Sequence, residues 1–189
     1  MVGISLGWNC HSAIKGVQLG LRGLKKDGYM TCPFDESITN YQGIVDCIRS
    51  DFADFFSLTL KQIDGDAAYC KGDVIIYNPR YRFLFNHESP GHANLWSIEG
   101  WHGGINHFVN NNYENFIGRY KKRIENFRNY LRSGEHVVFL ITHPEPEFDF
   151  ADLREALKET YPDLNYRIER FDIHPDMEHY EGHMKLMFS

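Results

Sequence analysis

Val137-Val138-Phe139-Leu140-Ile141 is apolar at every position. A strand with one face in water alternates apolar and polar residues, so a run without alternation has to be covered on both faces. That requirement selects a sheet with helices on either side, the arrangement in which parallel strands are buried. Val2 to Leu6, closed by Gly7, reads as another such strand, and Leu164 to Ile168 as a later one. Between them, Tyr113 to Leu131 carries Phe116, Tyr120, Ile124, Phe127 and Leu131 at steps of three and four, which predicts an amphipathic helix with Lys121, Lys122 and Arg123 on another face. A shorter helix is expected from about Cys10–Ser12 to Leu21, with Gly20 and Gly23 marking its end. Thr39 or Asn40 caps a second helix through Ile44, Val45, Cys47 and Ile48, and Asp149 starts one through Leu153, Ala156 and Leu157.

The middle of the chain reads differently. Asp73 to Tyr77 and Tyr81 to His87 are strand-like and flank the turn signal Asn78-Pro79, which predicts a hairpin. Residues 88–112 are rich in Gly, Asn, His and Trp and show little periodicity, so they read as a long irregular loop of the kind that often carries function. The expected fold is α/β: a layered, Rossmann-like, partly parallel sheet flanked by helices, with a hairpin and a long loop inserted mid-chain. The 189 residues suit a single domain over 1–189, with its irregular insertion at about 88–112.

Several function classes are set aside by composition. The formal net charge is −6 with no clustered basic face, so a nucleic-acid partner is not expected. No stretch approaches the roughly 20 apolar residues that span a bilayer, so no membrane partner is expected either. The first residues lack the basic and long apolar regions of a secretion signal, which predicts a cytoplasmic protein whose Cys10, Cys32, Cys47 and Cys70 are free thiols. His87, His92, His102 and His107, and His174, His179 and His183, form two groups without metal-ligand spacing; neither a metal nor, absent a Gly-x-Gly-x-x-Gly run, a cofactor is expected.

Three strand ends carry reactive side chains. Cys10 lies just beyond the first strand, His87 ends the strand over 82–86, and His143 lies just beyond the strand over 137–142. If those strands are parallel, all three open on the rim outside the carboxyl ends of the sheet, where open α/β sheets bind ligands. A thiol at a helix N-terminus sits in the positive end of the dipole, which lowers its pKa, and the amides there can stabilise an oxyanion. The competing reading is that Cys10 is a small buried hydrophobe. His87 is the first candidate base and His143 the second, with Asp35 or its rival Glu88 to orient the imidazole. Asn9 and His11 flank the thiol as candidate substrate contacts. Arg123, with Arg119, can hold an anionic substrate by paired hydrogen bonds, and Trp101 and Trp96 can stack on a sugar ring.

The segments Ser5-Leu6-Gly7-Trp8-Asn9-Cys10, Leu19-Gly20-Leu21-Arg22, Cys32-Pro33-Phe34-Asp35 and Asp51-Phe52, followed by Phe83-Leu84-Phe85-Asn86-His87 and Arg119 to Phe127, resemble the domain of unknown function 1796, a family labelled papain-like cysteine peptidases. The resemblance extends to about residue 160. It implies a Cys–His hydrolase with Cys10 as nucleophile and His87 as base, and a role in glycan or glycoconjugate metabolism. Two positions depart from the family pattern: Glu88 follows His87 where an Asp is usual, and Thr142-His143 replaces a basic strand end. The expected function is a cysteine-dependent hydrolase or acyltransferase acting on a small-molecule, peptide or glycan substrate. The alternatives are a non-catalytic module for a carbohydrate or nucleotide-sugar, and a non-covalent carbohydrate-active enzyme using Asp35 and His87.

Overall fold

β5 (Val137–Thr142) lies between β1 (Val2–Ser5) and β6 (Tyr166–Phe171) and is parallel to both. Its side chains alternate between two apolar environments, which is why its sequence does not alternate. Val137, Phe139 and Ile141 enter the main core, whereas Val138 and Leu140 join Phe171 and Leu21 on the opposite face. α1 (His11–Gln18) packs on that opposite face against β1 and β5. The approach is close: a Cβ on Gly16 would fall 2.2 Å from Leu140 Cδ1. The main core is closed by α2 (Tyr41–Arg49), by α4 (Asn110–Arg132) and by α5 (Ala151–Thr160). The computed structural model describes residues 1–63, 73–93, 101–172 and 180–188. Among them no helix is long and apolar enough to cross a membrane.

A second, antiparallel sheet has the order β2 (Thr59–Gln62), β3 (Val74–Asn78), β4 (Phe83–Phe85). Its Ile76, Phe83 and Phe85 point into the same core as β1 and β5. Its other face carries Ile75, Tyr77 and Leu84, and is covered by Met187 of α6 (Glu181–Phe188). The fold is thus α/β as expected, and the predicted hairpin is present. Asn78 builds its turn: the side chain accepts from Tyr81 N at 2.8 Å and donates to the carbonyls of Asp54 and Phe55.

Four expectations need revision. β4 belongs to the antiparallel sheet, so the strand before His87 is not parallel to β1 and β5. α1 ends at Gln18 rather than Leu21, because Gly20 takes a left-handed φ of 67° and both Leu21 N and Arg22 N turn back to Gly16 O. The irregular stretch over 88–112 contains α3 (Pro90–Ala93) and a short 3-10 turn at Gly104–Asn106. α4 starts before Tyr113, and its first turn passes through left-handed backbone at Asn111, Asn112 and Tyr113 before the regular helix begins. The Asn40 cap is as expected: its Oδ1 accepts from Gly43 N at 2.7 Å. Trp96, His174 and His179 lie outside the described residues, as does Cys70; Cys10, Cys32 and Cys47 are free thiols.

Phe34 joins the layers. Fully buried, it packs on Phe52 of the segment after α2, Phe83 of β4 and Phe127 of α4, with ring centroids 5.7–5.8 Å away. Removing it leaves a cavity bounded by three elements, so Phe34→Ala is expected to cost about 3–5 kcal/mol of unfolding free energy in a denaturant titration. A loss under about 1 kcal/mol would show that the layers do not depend on this contact.

Candidate active site

The turn after β1 is shaped by Gly7. Its φ is 96°, and a Cβ there would lie 1.8 Å from Thr39 Oγ1. Glycine is required on both counts, as the sharp turn in the sequence implied. Thr39 is that close because it ties the turn down: its Oγ1 donates to Leu6 O at 2.9 Å and its amide to Trp8 O at 2.8 Å. One residue earlier, Ile38 exchanges two backbone hydrogen bonds of 2.9 Å with Leu84 of β4. Ile38 and Thr39 therefore bridge the turn carrying Cys10 to the strand that leads into His87. These residues are expected along one sheet edge; in the structure a third segment links their elements, between two sheets.

Cys10 precedes α1, and its carbonyl accepts the helix's first hydrogen bond, from Ile14 N at 2.9 Å. The side chain is half-buried. Burial raises its pKa, against the lowering by its own amide, and the Glu36 carboxylate raises it further. The expectation of a depressed thiol pKa is thus reversed. Asn9 Oδ1 accepts from His11 N at 2.7 Å, an Asx turn that fixes the chain direction into the helix. Ser12 Oγ donates to Gly7 O and lies 2.8 Å from Thr142 Oγ1 at the end of β5. Because the single Ser12 proton goes to Gly7, Thr142 donates to Ser12. Thr142 Oγ1 then has only lone pairs to offer His11 Nδ1, 3.3 Å away, so the proton of that contact sits on Nδ1. The thiol turn is thereby pinned to both β1 and β5.

His87 stands in the short 3-10 turn Asn86–Glu88 that follows β4. Burial lowers its pKa; Glu36 pulls it up, and Arg123 and Arg119 push it down. Glu36 is thus the charged group felt by both the thiol and the imidazole, yet no sequence motif marks it beyond its place after Cys32-Pro33-Phe34-Asp35. The neighbouring Glu88 is fully buried and committed elsewhere: Arg119 Nε lies 3.0 Å away, Tyr120 OH 3.2 Å and Arg123 Nη1 3.5 Å. Burial raises the Glu88 carboxyl against the pull of both arginines.

Other candidates are placed in structural roles. The two Asp35 oxygens, inside the protein, take Arg22 Nη2 at 3.0 Å, Tyr29 OH and Cys32 N, a partner set without an imidazole. It therefore does not orient His87. Arg123 is buried between Glu36 and Glu88, so its guanidinium is already doubly paired and is not an open clamp for an anionic substrate. His143 stacks on Phe148 with centroids 3.9 Å apart, has Tyr41 and Phe150 edge-on, and accepts from Glu145 N through Nδ1. Burial lowers its pKa. It stands in an aromatic cluster of its own beyond β5. Trp101 packs edge-on against Phe108 at 4.9 Å and parallel to His107, as cover for the core. Among the described residues no group of three or more His, Cys, Asp or Glu side chains is arranged to hold a metal.

The chain matches, over residues 1–169, the family model described as Putative papain-like cysteine peptidase, a domain of unknown function numbered 1796. That span runs from β1 into β6 and stops short of α6. No curated protein and no solved structure matches the chain.

The balance of burial against helix dipole at Cys10 is open to direct measurement. The rate of iodoacetamide alkylation at Cys10, followed by peptide mass spectrometry across pH, is expected to have a midpoint above the ordinary thiol value of about 8.5. A midpoint below about 8 would mean that the helix terminus prevails over burial and Glu36.

Proposed function

Since the chain belongs to the family of papain-like cysteine peptidases of domain of unknown function 1796, we propose that it is a cysteine-dependent hydrolase or acyltransferase in which Cys10 is the nucleophile and His87 the base. The observation that carries this reading is the bridge at Ile38 and Thr39, which ties the Cys10 turn to β4, with Glu36 just before it in the chain acting electrostatically on thiol and imidazole alike. In the reaction the sulfur attacks a substrate carbonyl and its proton passes to the imidazole. The leaving group takes that proton as the tetrahedral intermediate collapses to a thioester. Water or an acceptor nucleophile then attacks the thioester and restores Cys10 as a thiol. Of the leading α1 amides, His11's is taken by Asn9 Oδ1 and Ile14's by Cys10 O, so neither of these two is open to an oxyanion.

The charge states favour one version of this chemistry. Burial holds the thiol up and the imidazole down, so near neutral pH both are uncharged. A neutral imidazole is the form that accepts a proton, and a neutral thiol is the form that gives one. The transfer accompanies attack, as in general-base catalysis, rather than preceding it as a stored thiolate–imidazolium pair. The substrate is a small molecule, peptide or glycan conjugate bearing an acyl group, and the site lies in a protein without a spanning helix among its described residues.

The sign of the pH dependence follows. The active base is the deprotonated imidazole, so activity is present above its pKa and lost as pH falls through it. For a lowered imidazole the acid limb of kcat/KM is expected below 6.5, the ordinary histidine value. The reaction itself is tested with an activated acyl ester: a thioester located on Cys10 by peptide mass spectrometry, absent in Cys10→Ala, and formed about 10²–10⁴-fold more slowly in His87→Ala. Acylation that proceeds unchanged in a folded Cys10→Ala protein would refute the nucleophile assignment, and a folded parent protein that is not acylated at all would leave the non-catalytic binding module as the better reading.

A further inference from the structure

Asp35 and Glu36 are adjacent, but the chain sends their carboxylates apart. Asp35 is sealed into the Arg22 and Tyr29 cluster, whereas the Glu36 side chain, 35% exposed, turns to α4. Arg123 Nη2 and Arg119 Nη2 both reach its Oε2, the latter at 3.4 Å, and among the described residues no hydrogen bond or ion pair engages Oε1. The same two guanidinium groups grip Glu88, the residue after His87. On the other side, Thr39 is bonded to Trp8, two residues before Cys10. Glu36 therefore stands where the supports of both reactive groups meet, with one oxygen clamped and one open.

We propose that Glu36 is the positioning carboxylate of this site: held by the two arginines that also grip the residue after His87, and carried on the segment that ties down the Cys10 turn, it places one fixed negative charge between the supports of both reactive groups and sets the pH range in which they exchange a proton. The catalytic meaning of this role rests on the reading of Cys10 and His87 as nucleophile and base; its test does not. A fixed anion stabilises the imidazolium and disfavours the thiolate, so it raises both proton affinities together. At His87 it opposes burial and keeps the imidazole a useful acceptor; at Cys10 it adds to burial and keeps the thiol protonated until attack. Raising both leaves their difference little changed and moves the working range bodily toward higher pH. Once the proton has crossed, the same carboxylate stabilises the imidazolium. Among the described residues, the charged and titratable groups around Glu36 are Arg119, Arg123 and Tyr120 of α4, Glu88 and His87 of the turn after β4, and Cys10 of the turn after β1.

The test is a pair of titrations on the intact protein, neither of which needs a substrate. His87 is followed by NMR of its ring resonances, and Cys10 by iodoacetamide alkylation read by peptide mass spectrometry. Glu36→Gln keeps an oxygen for both arginines and removes the charge, so both midpoints are expected to fall by roughly half a pH unit. Arg119→Gln removes a cation and leaves the carboxylate less neutralised, so both are expected to rise. Glu36→Asp, which retains the charge, is expected to keep both midpoints closer to the parent than Glu36→Gln does. Should Glu36→Gln not fold, Arg119→Gln decides the matter at Cys10, where Glu36 and not Arg119 is the acting charge; at His87 the loss of Arg119 raises the midpoint by itself. A folded Glu36→Gln protein in which either midpoint stays within about 0.1 unit of the parent overturns the proposal. Failure of Cys10 to form a thioester, with the titrations moving as expected, would instead count against the hydrolase reading alone.

Discussion

The contact between Thr39 and the backbone of the first turn is the constraint on which the rest of the arrangement depends. Thr39 occupies the space that a side chain at Gly7 would need, and satisfies the carbonyls of Leu6 and Trp8 as they leave the sheet. Buried carbonyls without partners are costly, so this threonine fixes where the chain departs from β1 and how α1 begins. The same segment pairs with Leu84 through Ile38, which attaches the antiparallel sheet to the parallel one by backbone hydrogen bonds as well as by the aromatic core. Two sheets that share no strand are thereby held in register at the place where Cys10 and His87 leave them.

Magnitudes explain why the thiol expectation reversed. The end of a helix dipole is worth typically 0.3–1 kcal/mol at a surface, under one pKa unit. α1 has only eight residues. Burial and a nearby carboxylate each act on the same scale or above it, and here both work against the thiolate. Position at a helix terminus is visible in a sequence; the depth of the side chain and the sign of the nearest charge from a distant segment are not.

The parts of the fold that were legible are those whose signal is local and redundant. β5 announces itself by an unbroken apolar run, α4 by five aromatic and aliphatic residues on one stripe, and the β3–β4 hairpin by Asn78 in its turn. β2 left no such trace, because Thr59, Leu60, Lys61 and Gln62 lie at the edge of the sheet with their side chains largely exposed and no apolar alternation to read. The site was legible as a list of residue types but not as partnerships. Arg123, Glu88 and Asp35 all have the chemistry of site residues, and all three are spent on buried ion pairs. A buried charge left unpaired costs far more than an exposed one, so the fold seals the most buried candidates first, whereas Glu36, one-third exposed, is held by Arg119 and Arg123 through Oε2.

The last helix completes the logic of the second sheet. A three-stranded antiparallel sheet can keep one face in water only if that face is polar. Here the outer face carries Ile38, Ile75, Tyr77 and Leu84 together with Ile63, and Met187 of α6 is fully buried against them. Arg82 Nη1 reaches Met187 O at 3.5 Å, so the helix touches the hairpin, and Tyr180, the residue before it, meets Trp8 of the thiol turn edge-on at 5.3 Å. Covering five apolar side chains is worth several kcal/mol at about 25 cal/mol per Å². The matched family region ends at residue 169, before this cover. In this chain Met187, beyond that region, shields the outer face of the sheet whose inner face builds the core, and Tyr180 packs on Trp8. The helix and the residue leading into it thus join the hairpin to the turn that presents Cys10.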